Sequence, residues 1–399
     1  MNTPSPHPPD KGQASAQRDL GPLYAAGFVT AFGAHSVAAN LGGYATGHHA
    51  SLIELGVLLG VYDGAEVILK PVFGVLADRI GPRPVLLGGL VAFAAASALF
   101  VAANKPGLLG AARLLQGAAA AAFSPAAGAL IAHAGSRQRG HSFGGYGAAK
   151  GLGYLAGPIG GGLLVAVGGY RLLFIVLAAL ALVVAGVAAR FVPVVAPTPR
   201  PRETLIGLVH RLSSPTFLRP VAVLAAATAA LSAGVGFLPI TGARAHLGPI
   251  VTGASVSLLA ACAALVQPRA GRALDAGRIT TNVASWALIA AALGLTLPAI
   301  AHGPVVLAAA AVLIGIGVGV ATPLGFTALA QTAPPGRIGE TMGAAEVGRE
   351  LGDAGGPLVI GALSIIGLAT GFAGLAVLVL GSALGALRQT ENERSRPTD

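Results

Sequence analysis

Long apolar stretches recur along the whole chain, and this recurrence constrains the fold more than any other feature. At about 1.5 Å per residue, each stretch is long enough to cross the ~30 Å hydrocarbon layer as a helix. Only 10% of the 399 residues are charged, whereas a soluble domain carries roughly 25%. A chain this poor in charge cannot cover itself with polar surface in water. The sequence therefore predicts an all-α membrane protein.

The apolar stretches predict twelve helices in two sets of six. The first set covers 22–44, 51–77, 84–104, 107–133, 142–167 and 170–192. The second set covers 217–242, 248–269, 280–301, 304–331, 340–363 and 367–387. The expected organisation is an N-terminal tail (1–20), a six-helix bundle (21–193), a linker (194–216), a second six-helix bundle (217–387) and a C-terminal tail (388–399).

Lysine and arginine fall almost entirely on one side of the predicted membrane. With both termini in the cytoplasm, eighteen lie in inner segments, and only Lys105, Arg171 and Arg244 lie in outer ones. Positive charge accumulates on the cytoplasmic side of membrane proteins. We therefore expect a multi-pass protein of the bacterial cytoplasmic (inner) membrane with both tails inside. The net charge of +10 then reflects topology and contact with anionic lipid, not nucleic acid.

The two halves repeat each other in sequence. The pattern Pro-x-x-Gly-x-x-x-Asp ends at Asp78 in the first half and at Asp275 in the second, an offset of 197 residues. Gly157-Pro158 and Gly356-Pro357 form a further pair, offset by 199. Because each half holds an even number of helices, the repeats have parallel topology, as in transporters built from two six-helix halves.

Seven charged residues interrupt predicted helices 2 and 11. They are Asp63, Glu66 and Lys70 on helix 2, and Glu346, Arg349, Glu350 and Asp353 on helix 11. Their spacings of three, four and seven put each set on one helical face. Charges within a membrane persist only when they are paired or face water. Five acids against two bases leave carboxylate in excess, and a desolvated carboxylate can carry a proton at physiological pH. A proton-coupling site and a purely structural ion-pair network both fit.

The loop after helix 2 carries a family resemblance. Its sequence, Gly74-Val75-Leu76-Ala77-Asp78-Arg79-Ile80-Gly81-Pro82-Arg83, resembles the major facilitator superfamily signature Gly-x-Leu-Ala-Asp-Arg-x-Gly-Arg-Lys. Pro82 replaces the first of the paired basic residues. The resemblance implies that Asp78 accepts hydrogen bonds from the N-terminus of helix 11 and latches the outward-facing state. The candidate latch residues are Gly74, Asp78, Arg79, Gly81 and Arg83. An ordinary basic loop is the alternative reading.

Two further segments resemble motifs of the same superfamily. Arg113-Leu114-Leu115-Gln116-Gly117 in helix 4 is similar to its Arg-x-x-Gln-Gly motif. An arginine inside an apolar helix indicates a functional site, unless its side chain snorkels to the interface. In helix 5, the residues Gly153, Gly157, Pro158 and Gly161 resemble the motif associated with antiporters. A plain packing stripe of glycines would look similar.

Polar residues elsewhere in the helices are candidates for lining a central cavity. Lys150 in helix 5 has no evident partner and is expected to meet an anionic substrate group, to stay neutral or to snorkel. His35 and Asn40 in helix 1 are expected at the cavity, although such residues also satisfy neighbouring backbone. Arg113 and Gln116 complete this set of candidate substrate residues.

The resemblance implies a major facilitator fold, with two six-helix bundles related by pseudo-two-fold symmetry and helices 2 and 11 in contact. Residues at equal depth from the cytoplasmic face should then meet across this contact. We therefore expect Lys70 to pair with Glu346, and Arg349 to reach Glu66 or Asp63. The expected function is proton-coupled efflux of small amphipathic compounds by a monomer working through alternating access, without a cofactor. The alternatives are a proton symporter importing a sugar or organic acid, and a lipid flippase. The chain has no P-loop, which argues against ATP-driven transport, and no metal-ligand spacing or catalytic triad outside the membrane, which disfavours an enzyme.

Overall fold

The computed structural model describes residues 20–47, 52–103, 106–133, 138–197 and 205–394, and these form twelve helices. Backbone groups within lipid must find partners inside their own segment, which is why the apolar stretches become helices. The helices of the first half are α1 (Gly21–Gly47), α2 (Leu52–Ile80), α3 (Pro82–Ala102), α4 (Pro106–His133) and α5 (Arg139–Phe191). A short helix α6 (Leu205–Leu212) precedes α7 (Pro215–Arg244), α8 (Pro249–Asp275), α9 (Val283–Ile300), α10 (Pro304–Thr332), α11 (Ile338–Leu363) and α12 (Leu368–Arg394).

Helix α5 contains both the fifth and the sixth predicted helices. Its two arms meet at Gly168 and Gly169, which depart from helical geometry. Gly169 has a φ of 70°, a left-handed conformation that glycine adopts without steric cost. The chain therefore reverses between 167 and 170, where the sequence predicts the boundary. Within its half, α5 packs mainly against α1 and α3.

The predicted linker (194–216) contains a short helix, which is not predicted from the sequence. Leu205–Leu212 forms α6, whose high content of leucine and other apolar residues allows a short amphipathic turn next to the membrane. Residues 1–19 of the predicted tail and residues 198–204 of the linker lie outside the described residues. Helix α12 also continues to Arg394, seven residues past its predicted end, because a helix does not have to stop where its apolar stretch stops.

Eight of the described helices are long and apolar enough to cross a membrane: α3, α4, α5, α7, α8, α9, α10 and α12. Helix α5 counts once in this set although it has two arms. Helices α2 and α11 fall outside it, and both carry the predicted charges. Large apolar side chains face outward, among them Ile300 (77% exposed) and Ile365 (89% exposed). Such surface suits lipid rather than water.

The halves are joined mainly by two helix pairs, α2 with α11 and α5 with α8, and to a lesser extent by α4 with α11 and α5 with α10. Helices α2 and α8 end, and α5 and α11 begin, at the same end of the bundle. We call this the basic end, because Arg79, Arg139, Arg272 and Arg337 lie there. It is the end that the sequence predicts to be cytoplasmic. One hydrophobic cluster lies mostly within the first half and a second within the other half.

Candidate functional site

The carboxylate of Asp78, at the basic end of α2, caps the start of α11. Its Oδ1 atom accepts a hydrogen bond from the backbone N–H of Gly339 at 2.7 Å, and its Oδ2 atom accepts one from Glu340 at 2.9 Å. The first N–H groups of a helix lack partners and form the positive end of its dipole. Gly74 lies against Gly339, where a β-carbon would overlap the carbonyl group. The contact implied by the signature loop is therefore present.

Asp275, at the basic end of α8, caps α5 in the same way. Its carboxylate accepts hydrogen bonds from the backbone N–H groups of Gly140 at 2.8 Å and His141 at 2.7 Å. Gly271 lies against the backbone of Gly140, as Gly74 lies against Gly339. Asp275 is not among the predicted site residues, although the repeat at an offset of 197 is the signal that identifies it. Two equivalent caps thus close the basic end.

The rest of the signature loop shapes the chain between α2 and α3. Gly81 has a φ of 94°, which requires glycine, and Pro82 occupies the first turn of α3, a position where proline is favoured. Arg83 donates a hydrogen bond to the carbonyl oxygen of Ala189 near the end of α5. Arg79 is exposed. Gly81 and Arg83 thus fix the loop and tie α3 to α5, which differs from the role of Asp78.

A second carboxylate, paired with two arginines, lies next to Asp78. The carboxylate of Glu340, in the first turn of α11, forms ion pairs with Arg337 at 3.1 Å and with Arg211 of α6. Helix α6 is therefore connected to the same helix N-terminus that Asp78 caps. Sequence reasoning places neither Arg211 nor Glu340 in the site, because no motif or spacing links the linker to α11.

Lys70 is the centre of an ion-pair cluster where α2 packs against α11. Its Nζ atom lies 2.7 Å from Glu66, one turn earlier on α2, and 2.6 Å from Glu350 and 3.5 Å from Glu346 on α11. The Lys70 side chain has no exposed surface, and a charge so placed in a membrane protein requires partners. The predicted pairing of Lys70 with Glu346 is present.

Lys150 adds a third helix to the cluster. Its Nζ atom donates a hydrogen bond to Ser124 Oγ at 2.9 Å and lies 3.4 Å from Glu346 Oε2. Lys150 is only 9% exposed, so its side chain does not snorkel. It borders a cavity of about 50 Å³ beside the cluster, not the central cavity where the sequence placed it. Its partner is a glutamate of the opposite half, which sequence spacing alone does not reveal.

Arg349 pairs along its own helix. Its guanidinium donates to Glu346 at 3.0 Å, forms an ion pair with Glu350, and lies 3.2 Å from the hydroxyl oxygen of Tyr154. The expected contact of Arg349 with Glu66 or Asp63 is wrong. Glu346 is three residues away on the same helical face, and Lys70 already occupies Glu66 and Glu350 from the other side.

The cluster is balanced in charge, but two carboxylates remain outside it. Three cations meet three glutamates: Lys70, Lys150 and Arg349 with Glu66, Glu346 and Glu350. Within the described part of the chain, neither Asp63 nor Asp353 has a cation at ion-pair distance. Both line a cavity of about 240 Å³ between the halves. We call this the central cavity.

Arg113 forms one wall of the central cavity. It is 2% exposed, so the snorkelling alternative is wrong. Its NH1 atom donates to Gln116 Oε1 at 2.7 Å, and its guanidinium carbon lies 4.1 Å from the centre of the Tyr62 ring. Gln116 is fully buried and does not line the cavity, so it holds Arg113 rather than facing a ligand. Such buried cation–π contacts add attraction.

His35 and Asn40, the two candidate cavity residues on α1, lie in different environments. His35 lines the central cavity, donates a hydrogen bond from Nδ1 to the carbonyl oxygen of Ala31 at 3.0 Å, and its ring centre lies 4.3 Å from that of Tyr154. Asn40 instead donates to the backbone oxygen of Ser36 at 2.8 Å and is not among the residues that line the cavity. A polar side chain in an apolar helix often satisfies local backbone in this way.

The helix-5 glycines bring α5 close to α1. A β-carbon on Gly153 would lie 2.5 Å from the carbonyl oxygen of Phe28, and one on Gly157 would lie 2.8 Å from His35 Cβ. Gly161 likewise faces Ser36. The Ser36 hydroxyl donates to the carbonyl oxygen of Gly157 at 2.8 Å, one residue before Pro158. The stripe therefore acts in packing at the cavity wall, whether or not it has a role in transport direction.

Two tyrosines belong to the site although sequence reasoning did not select them. Tyr154 lines the central cavity and contacts Arg349. Its position four residues after Lys150 puts both on one face of the helix, and this spacing is the signal that could have identified it. Tyr62 precedes Asp63 directly, and no pattern in the sequence indicates its contact with Arg113.

A helix bundle in two joined halves, with a charged cavity at their junction, defines a polytopic membrane transporter. The chain matches the family model described as Major Facilitator Superfamily over residues 23–357 and 238–399, and it belongs to this superfamily.

Curated relatives match part of the chain. A tetracycline resistance protein, class B, from Escherichia coli is 38% identical over 109 residues, which are 27% of each chain. A puromycin resistance protein from Streptomyces alboniger is 46% identical over 93 residues, 23% of this chain and 18% of that protein. The chain thus matches about a quarter, or less, of the length of these relatives.

Solved structures match nearly the whole chain. The human organic anion transporter MFSD10 (TETRAN) superposes with a TM-score of 0.77 at 19% identity, covering 95% of this chain and all of that one. The Escherichia coli fucose:proton symporter FucP gives a TM-score of 0.77 at 15% identity, covering 96% of this chain and all of that one. At these identities the similarity concerns the fold.

Proposed function

We propose that this protein is a proton-coupled exporter of small amphipathic compounds in the bacterial cytoplasmic membrane. The two halves rock around the central cavity and open it alternately to either side. The basic end faces the cytoplasm, and the Asp78 and Asp275 caps latch it closed while the cavity faces outward. Protons entering from outside drive the export of the substrate.

One observation carries the proposal: Asp63 and Asp353 line the cavity with no cation at ion-pair distance among the described residues, beside a cluster whose charges are balanced. Protonation of Glu66, Glu346 or Glu350 would break at least one ion pair and leave the buried cluster with an excess positive charge. Protonation of Asp63 or Asp353 breaks none. The two aspartates are therefore the preferred proton carriers among the five predicted acids, and they come from opposite halves.

Two observations favour export over uptake. The helix-5 glycine stripe resembles the superfamily's antiporter motif. Its Gly157 packs against His35, which lines the cavity. The partial relatives are resistance proteins for tetracycline and puromycin, which suggests similar compounds as first probes.

A lipid flippase needs a lateral opening between α5 and α8, and at the basic end Asp275 and Gly140 hold these helices together.

The test is transport into inside-out proteoliposomes, with tetracycline and puromycin as probes and an imposed pH gradient, acid inside. We expect the wild type to accumulate a probe only while the gradient lasts. The Asp63→Asn, Asp353→Asn double variant should lose gradient-driven accumulation but keep exchange of the probe at saturating concentration without a gradient. The matched control is the Asp63→Glu, Asp353→Glu variant, which retains both carboxylates.

Gradient-driven accumulation by the double amide variant at the wild-type rate would contradict proton transfer at these aspartates. Accumulation only under the opposite gradient, acid outside, would favour the symporter. Tolerance of a pump-deficient host to both compounds, measured with and without expression, provides an independent check on direction.

A further inference from the structure

Arg113 is a buried cation that interacts with Asp63 and Glu66 only across the cavity, without forming an ion pair. Within the described residues no acidic side chain lies at ion-pair distance from it, and its Nε atom is a buried donor with no acceptor. Gln116 accepts a hydrogen bond from Arg113 through its Oε1 atom, and its own Nε2 donor also lacks an acceptor. Unmet donors in a membrane interior are costly. Because Arg113 lines the central cavity, an anionic group on a bound molecule there would compensate its charge.

Asp63 and Asp353 offer the opposite charge in the same cavity. Neither is committed to a cation, whereas Glu66 and Glu350, which also line it, are held by Lys70. Ser232 donates to the backbone oxygen of Asp353 at 2.8 Å and fixes that part of α11 without occupying its carboxylate. The two aspartates can therefore receive an ammonium group from a ligand.

Aromatic and small side chains form the rest of the cavity wall. Tyr62, Tyr154 and His35 contribute rings, and the alanines Ala34, Ala38 and Ala120 leave space between them. A cavity of about 240 Å³ is below the range of roughly 300–1,000 Å³ that drug-sized ligands occupy. In this state it suits a compact molecule, or one end of a larger one, with an apolar or aromatic body.

We propose that the central cavity binds a zwitterion, with its anionic group on Arg113 and its ammonium group on Asp63 and Asp353. This inference rests on the proposed export function for its context, but it concerns binding alone. Ligand binding and proton transport are then connected, because the ammonium group of the ligand and the transported proton compete for the same carboxylates. One leaves as the other enters.

The test uses three molecules with one indole body and different charges: tryptophan (zwitterion), tryptamine (cation) and indole-3-propionate (anion). Binding to the purified full-length protein is measured by calorimetry without any gradient, so that a failure of proton coupling does not affect it. We expect tryptophan to bind about 10- to 100-fold more tightly than either singly charged analogue, the factor typical of one added charge-assisted hydrogen bond.

The variants separate the two ends of the ligand. Arg113→Met should remove the advantage of tryptophan over tryptamine, and Arg113→Lys should restore part of it. The Asp63→Asn, Asp353→Asn variant should remove the advantage of tryptophan over indole-3-propionate. If Arg113→Met does not fold, as judged by gel filtration and thermal unfolding, the double aspartate variant and the wild-type series still decide.

Equal affinity for tryptamine and tryptophan in the wild type would overturn the proposal in favour of a cation site, with Arg113 serving charge balance alone. Equal affinity for indole-3-propionate and tryptophan would overturn it in favour of an anion site. No binding of any of the three to folded protein would overturn it as well. Tryptophan binding in a protein that fails the gradient test would retain this inference and reject the export mechanism.

Discussion

At the scale of single residues, Lys70 is the charged side chain whose burial depends most on ion-pair partners. It is fully buried and contacts carboxylates of both halves, Glu66 on α2 and Glu350 and Glu346 on α11. Removing one partner from a buried ion pair leaves an uncompensated charge, although the intact pair does not have to stabilise the fold relative to an apolar one. That asymmetry suits a contact that forms and breaks during transport.

Lys70→Met should lower the free energy of unfolding by about 3–5 kcal/mol, because Glu66 loses its cation. Unfolding in mixed micelles with increasing SDS measures it. The matched control is Lys150→Met, which should cost less, since Glu346 keeps Arg349 at 3.0 Å and Lys70 at 3.5 Å. Adding Glu66→Gln to Lys70→Met should recover part of the loss. Equal losses from the two lysine variants would contradict the central position of Lys70.

At the scale of elements, the basic end is held by two carboxylates on two helix N-termini. Asp78 reaches from α2 to α11, and Asp275 reaches from α8 to α5. Each contact crosses between the halves, so together they form a symmetric closure. The connection of α6 to Glu340 through Arg211 adds the linker to one of the two caps.

Asp78→Asn should shift the protein toward the inward-facing state, because an amide is a weaker acceptor and carries no charge for the helix dipole. Asp275→Asn should have the same effect through α5. The measurement is labelling of Ala38→Cys, at the central cavity, by a membrane-impermeant maleimide added from outside, in a Cys262→Ala background. Both variants should label more slowly.

His302→Cys, on an exposed residue between α9 and α10 at the outer end, is the control and should label at the same rate in all backgrounds. Unchanged labelling of Ala38→Cys in both aspartate variants would argue against a latch. A change in one variant alone would mean that the two caps are not equivalent in energy.

The elements themselves follow closely from the sequence, because helix length and apolar composition are local properties. The reversal at Gly168 and Gly169 also has a local signal, whereas the capping of α11 by Asp78 is implied only by the family resemblance of the loop. The partner of Lys150 does not, since it lies 196 residues away on Glu346, and no spacing rule reaches across halves. Depth along two helices predicted the pairing of Lys70 with Glu346 but failed for Arg349, because depth does not fix the direction in which a side chain points around the helix.

At the scale of the whole molecule, the charges divide into a balanced cluster and an unbalanced cavity. The cluster holds α2, α5 and α11 together beside the junction of the halves, while Asp63, Asp353 and Arg113 face the central cavity. The excess of carboxylate predicted from α2 and α11 is thus reduced to two residues once Lys150 is included. Those two residues are the ones available to a proton or to a ligand cation.

Exchange of a proton for a substrate at these aspartates is the central claim, and proton release on binding tests it most directly. A compound that the protein transports is added to purified protein in weakly buffered detergent, and a pH-indicator dye records the protons released. We expect release from the wild type, and none from the Asp63→Asn, Asp353→Asn variant at saturating compound. Equal release from both proteins, or none from the wild type over the pH range in which it transports, would contradict the claim.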